Sequence, residues 1–279
     1  MLLLEEKWAG ILTAHADNCA AEYRMANDGD TEETEVIKAF SVTDIGKKRQ
    51  LNQDFVFTSE LPLGSLPNLF VVADGMGGHK AGDFASKYTV QTIVEEVVKS
   101  REKEPVELIG NAIRCANDLV RRKAKDDANM VGMGTTVVAA TYMEDTLYVA
   151  NVGDSRLYVV NDAMTQVTRD HSLVEEMVRI GSLDRESARK HPDKNIITRA
   201  VGATEYINVD FFEVALQTGD IVLMCSDGLT NMLEDEVIHK ILLKKDTLEN
   251  KAKELVDLAN ENGGLDNIAV VLIELLDQV

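Results

Sequence analysis

The stretch LFVVADGMGGHKAGDFAS, residues 69–86, runs an apolar segment into an aspartate and then places three glycines within four positions. A short run of Leu, Phe, Val and Ala reads as a buried strand. The aspartate that ends it has two readings. Asp and Gly are common turn residues, so a tight turn would account for both. Alternatively the carboxylate meets a cation or a phosphate, and the glycines let backbone come close. The rest of the chain favours the second. In DIVLMCSDGL, 220–229, a strand runs into Asp227 and Gly228; in LYVANVGDSR, 147–156, one runs into Gly153-Asp154; in ENGGLDNIAVVLI, 261–273, a glycine turn puts Asp266 just ahead of a strand. Asp54 in LNQDFVF opens another. Five aspartates thus sit at strand ends, four of them with glycine within three residues. Carboxylates gathered at one place repel unless a cation neutralises them, and short oxygen ligands suit hard ions such as Mg2+ or Mn2+. The pattern predicts a two-metal site.

Strands are expected at 38–44, 53–59 and 68–74, and helices at 81–100 and 105–126, the second opened by Pro105. Three strands follow at 134–142, 145–152 and 155–161, with MED and GD read as meander turns. Residues 171–195 are polar and carry Pro192, which predicts a helical turn or two and a loop. Strands return at 196–201, 208–216 and 220–226, then helices at 234–243 and 247–262 and a last strand at 267–275. Helices that come in pairs between groups of strands point away from a doubly wound parallel sheet. They predict an α+β fold, a four-layer α/β/β/α sandwich of two packed, mainly antiparallel sheets flanked by helices.

The 279 residues carry 29 Lys and Arg against 48 Asp and Glu, a formal charge of −19, which argues against nucleic acid or an anionic membrane as partner. Residues 1–37 hold nine acids and two bases, including NDGDTEETE, and read as an acidic extension ahead of a domain over 38–279. Cys19, Cys115 and Cys225 are far apart, so neither a disulfide framework nor a zinc site is expected, and the chain is placed in a reducing cytoplasm. MLLLEEKW lacks the basic start and apolar core of a signal peptide. Cys225 reads as a packed strand residue, since no basic phosphate loop follows it. His15, His171, His191 and His239 do not cluster at ligand spacing, and none is assigned to metal.

Eight stretches together resemble the metal-dependent Ser/Thr protein phosphatases, the PPM or type 2C family, in their bacterial form: TDIGKKRQLNQD, FVVADGMGGHKAGDFAS, GMGTTVVAA, LYVANVGDSRLYVV, TRDHSL, ITRAVG, VLMCSDGLTNML and GGLDNIAVVLI. They stand in the family's order and span about residues 38–275. The resemblance implies a β-sandwich flanked by helices and hydrolysis of phosphoserine and phosphothreonine in signal transduction. It also implies two Mn2+ or Mg2+ ions per site, and attack by a hydroxide that bridges them. Asp74 then matches the bridging ligand, Gly75 a carbonyl ligand, and Asp227 and Asp266 the ligands of the second ion. Asp54 matches the carboxylate that holds a metal-bound water, and Arg49 the arginine that grips the substrate phosphate. Asp154 with Asp227 matches a third-metal site of bacterial relatives, and Asn267 supports Asp266. Residues 171–195, with His171 and Ser172 at their mouth, match the flap that shapes substrate access. The implied partners are phosphoprotein substrates and, by analogy, a Ser/Thr kinase; a monomer is expected. Two places depart from the familiar pattern. Met76 stands where eukaryotic members carry a histidine proposed as general acid, a role not transferred to His79, and Gln53 stands where many relatives have Glu. A haloacid-dehalogenase-type phosphatase would need a second Asp where Met76 stands. A binding module without turnover is the alternative of another class, and the full set Arg49, Asp54, Asp74, Asp227 and Asp266 argues against it.

Overall fold

A computed structural model of the chain describes residues 37–78 and 81–276. One sheet has the order β1 (Ile37–Asp44), β11 (Ile268–Leu275), β10 (Ile221–Cys225), β7 (Arg156–Val160) and β8 (Met164–Gln166). The other has the order β2 (Asp54–Ser59), β3 (Leu69–Met76), β5 (Val137–Met143), β6 (Thr146–Val152) and β9 (Asp210–Ala215), with β4 (Gly134–Thr135) on the end of β3. Every pairing is antiparallel.

The apolar runs dictate the layering. Side chains alternate across a strand, so a strand apolar at consecutive positions must be covered on both faces. In β3, Leu69, Val71 and Ala73 enter a core shared with α1 (Ala81–Lys99) and α2 (Pro105–Asp126), while Phe70 and Val72 face the opposing sheet. In β11, Ala269, Val271 and Ile273 fill the space between the sheets. Ile268, Val270 and Leu272 pack on the other side against α6 (Asp235–Leu242) and α7 (Leu248–Glu261). Three cores between four layers give the expected α/β/β/α sandwich. No helix among the described residues is long and apolar enough to cross a membrane.

Several elements differ from the expected ones. Gly153-Asp154-Ser155 is not a meander turn: β6 and β7 lie in different sheets, and Gly153, at φ +111°, carries the chain from one to the other. The MED turn, by contrast, is the expected meander hairpin, closed by Glu144 and Asp145 at φ 50° and 62°. Residues 196–201 form no strand; among the described residues their β-pairing is limited to the bridges Ser172–Ile197 and Thr135–Val201. Residues 171–195 contain two short helices, α3 (Leu173–Arg179) and α4 (Arg185–Lys190), capped by Ser172 and Asp184. A further turn of helix, α5 (Asp227–Thr230), begins at Asp227 itself. Of the acidic segment 1–37, all but Ile37 lies outside the described residues, as does His79.

Candidate active site

Asp54 and Asp74 face each other across one rung of the β2–β3 ladder. Asp74 does not end its strand: β3 continues through Gly75 and Met76, which pair with Thr135 and Gly134. Its position is fixed from the side, because its N–H donates to Thr136 Oγ1 at 2.9 Å and its carbonyl accepts from Thr136 N and Thr135 Oγ1, both at 2.8 Å. Asp54 comes from the second sheet, yet its Oδ2 accepts from Ser226 Oγ at 2.6 Å, at the end of β10 in the first. That bond draws Asp227 into the same region. Asp227 Oδ2 accepts from Asn231 Nδ2 at 2.9 Å, and Asp266 Oδ2 accepts from Arg49 Nη2 at 2.7 Å.

Glycine permits this crowding at two places. A Cβ on Gly75 would stand 2.1 Å from the Gly82 carbonyl oxygen, and one on Gly228 would stand 1.9 Å from that of Asn267. Asn267 ties the rim together: its Oδ1 accepts from Gln53 N, and its Nδ2 donates to the carbonyls of Ile45 and Leu51. The side chain therefore fastens the loop that carries Arg49, and its own N–H donates to Asp266 Oδ1.

The electrostatics follow from burial and from like charge. Burial raises the carboxyl of Asp54 to about 7, with Asp227 and Asp266 adding to the rise. Burial and then Asp266 raise Asp227 to about 6. Burial holds Asp74 and Asp154 well above the ordinary carboxylate range, Asp54 being the largest charge contribution for the first and Asp227 for the second. Arg49 is raised by its hydrogen bond to Asp266 and by the fields of Asp266, Asp74 and Asp227. Among the described residues, no three Asp, Glu, His or Cys side chains are placed to grip one ion as they stand. The donor set nevertheless suits a hard cation. Its charged ligands are all oxygens, and Asp54 Oδ1 is buried without a hydrogen-bond partner.

Arg49, Asp54, Asp74, Gly75, Asp154, Asp227, Asp266 and Asn267 are thus linked by these bonds and fields. His171 is committed elsewhere, between Gly153 N–H and Asp210. Met76 has no proton to give. Cys225 is buried, and burial pushes its thiol up, away from a nucleophilic thiolate. Sequence reasoning did not single out Ser226, Thr136 or Asn231, which orient the carboxylates. Nor did it find Lys194, whose Nζ donates to Asn231 Oδ1 at 2.9 Å, or Arg156, half-buried beside Asp154 and bonded to Asp170 through Nε and Nη2. Only Ser226 had a local signal, lying next to the strand-end aspartate.

Comparison with known proteins adds an independent line. Residues 46–264 match the family model described as protein phosphatase 2C. The chain is 42% identical over 239 residues to the serine/threonine phosphatase stp of Listeria innocua, covering 83% of this chain and 93% of that one. The structure of the S. agalactiae serine/threonine phosphatase superposes with a TM-score of 0.78 at 38% identity, over 86% of this chain and 99% of that one. The catalytic domain of the serine threonine protein phosphatase PstP, in complex with 2 manganese ions, superposes with a TM-score of 0.77 at 29% identity, over 87% and 99% of the two chains.

Proposed function

The chain belongs to the protein phosphatase 2C family and is a metal-dependent protein serine/threonine phosphatase; from that premise we propose how its own residues divide the work. Asp74, the Gly75 carbonyl, Asp227 and Asp266 would hold two divalent cations, Mn2+ or Mg2+, with Asp154 and Asp227 offering a place for a third. Such ions supply Lewis acidity there: a water-derived nucleophile near neutral pH and relief of the phosphoryl charge. Asp54, its Oδ2 held by Ser226, turns Oδ1 to the nucleophilic water and orients it by accepting its proton in a hydrogen bond. Arg49 binds the phosphoryl oxygens with its planar fork. Its side chain is 48% exposed and anchored through Nη2 to Asp266, so little of its freedom is lost on binding. Residues 171–195 shape the approach of the phosphoprotein, docked through Arg189 on the carbonyls of Thr230 and Leu233 and through Lys194 on Asn231. The substrates are phosphoproteins, and the counterpart of the enzyme is a Ser/Thr kinase in the same cytoplasm.

The observation that carries this assignment of roles is the meeting of Asp54, Asp74, Asp154 and Asp227, drawn from both sheets, in one largely buried and mutually repelling group. The experiment is turnover of a phosphoserine peptide with Mn2+, with EDTA, and by Asp74→Ala, read beside the number of Mn2+ bound per chain. We expect loss of turnover in EDTA, a fall of at least about a hundredfold in the variant, and reduced Mn2+ stoichiometry. Unchanged turnover in EDTA would remove the basis for these roles.

A further inference from the structure

We infer that a basic cleft between α2 and residues 202–207 docks an acidic segment of the phosphoprotein substrate, apart from the catalytic carboxylates. From Arg114 to Lys125 the sequence carries five Lys and Arg and one acid, inside a chain whose formal charge is −19. Helical spacing brings Arg114, Arg121, Arg122 and Lys125 to a single cleft of about 430 Å3, four cations against the two acids Asp118 and Glu205 on its walls, with Tyr206 opposite. Lys123 and Lys125 lie in the last turn of α2, where the carbonyl end of the helix accounts for them. Arg114, Arg121 and Arg122 lie outside that turn and need another reason.

The arginines are weakly neutralised. Arg121 approaches Glu205 only to 3.9 Å, and Arg114 approaches Glu107 only to 3.8 Å, beyond hydrogen-bond reach, and both acids are exposed, so each pair is worth little. Arg122 and Lys125 are exposed and make no ion pair among the described residues. Tyr206, 85% exposed, adds an aromatic face that the fold does not use.

The cleft is also prebuilt. Asn117, 1% exposed, accepts from Gly202 N at 2.8 Å and donates to the Thr204 carbonyl at 3.1 Å, which pins residues 202–206 against α2. Gly202, at φ +89°, leaves room there for Val120, whose Cγ1 would stand 2.5 Å from a Cβ. The same wall runs back to Val201, which exchanges backbone hydrogen bonds with Thr135, and Thr135 Oγ1 donates to the Asp74 carbonyl. A substrate segment in the cleft would therefore lie against the backbone that continues to the catalytic centre.

Charge complementarity selects the occupant. An acidic body repels an acidic substrate at long range, so a local concentration of arginine is where such a segment can be received. The inference rests on the phosphatase reading for its substrate, but its first test does not need turnover. The full chain is titrated with a fluorescein-labelled oligo-glutamate peptide by anisotropy, and compared with Arg122→Glu/Lys125→Glu and, separately, Arg114→Glu. We expect saturable binding that weakens with salt and falls about tenfold or more in the double variant. Kinetics then separate docking from chemistry. For a phosphoserine peptide with an acidic extension, KM should rise about tenfold in the variants with kcat kept, and the same peptide without the extension should be hydrolysed as before. Wild-type binding left unchanged by all three reversals, or equal losses on both peptides, would overturn the docking site. So would oligo-glutamate binding that emerges only after removal of residues 1–36, which would make the chain's own acidic segment the occupant.

Discussion

His171 shows how far one side chain's environment fixes its chemistry. Its Nδ1 accepts from the Gly153 N–H at 3.0 Å, so the proton of the neutral ring must sit on Nε2, facing Asp210 Oδ2 at 3.1 Å. Protonation would put a second N–H against that of Gly153. Burial lowers the pKa of the ring from 6.5 and outweighs the pull of the Asp210 carboxylate. A depressed histidine contributes stability that is present above its unfolded pKa and lost as pH falls through the folded one. NMR titration of the ring should therefore give a midpoint below 6.5, and stability should fall on acidification less steeply in His171→Gln than in the wild type. A midpoint above 6.5 would mean that Asp210 dominates. The sequence made His171 a flap residue by its place in TRDHSL. That it steadies the turn before Asp154 depends on Gly153, eighteen positions away, and no local spacing reveals it.

At the scale of elements, the strands and long helices were legible because their periodicities are strong: Ala81–Lys99, Pro105–Asp126 and Ile268–Leu275 lie within a residue of their expected bounds. Pairing was less legible. A glycine-aspartate break between two apolar strands looks alike whether it closes a hairpin or crosses between sheets, and β6–β7 is the crossing case. The crossing is braced by Thr136 Oγ1, which meets Ser155 Oγ at 2.7 Å and accepts from Asp74 N–H. Thr136→Val keeps the volume but strands both partners. It should cost about 1–3 kcal/mol in denaturant unfolding and lower turnover as well, because Asp74 loses its anchor. A stability within a few tenths of a kcal/mol of wild type would show that the brace contributes nothing.

The whole molecule decides how the carboxylates behave together. Asp54 and Asp74 arrive from one sheet and Asp227 and Asp266 from the end of the other, so closing the sandwich brings like charges into a half-buried space. With folded pKa values raised to about 7 for Asp54 and about 6 for Asp227, from 3.8, their contribution is full below the unfolded value and is lost as pH rises through the folded ones. The metal-free chain should therefore lose more thermal stability between about pH 5 and about pH 8 than Asp54→Asn does, and Mn2+ should raise Tm most at the upper end. Parallel slopes for the two proteins would contradict the mutual repulsion. The sequence by itself determined the fold class and the carboxylates, because alternation along strands and Asp beside Gly are local signals carried by neighbouring residues. Only the tertiary structure decided which strands pair, what holds each carboxylate, and that Arg114, Arg121, Arg122 and Lys125 face Tyr206 across a cleft. Those are contacts between residues distant in the chain, and the energy that selects them, burial and hydrogen bonding in a closed sandwich, exists only once the layers have met.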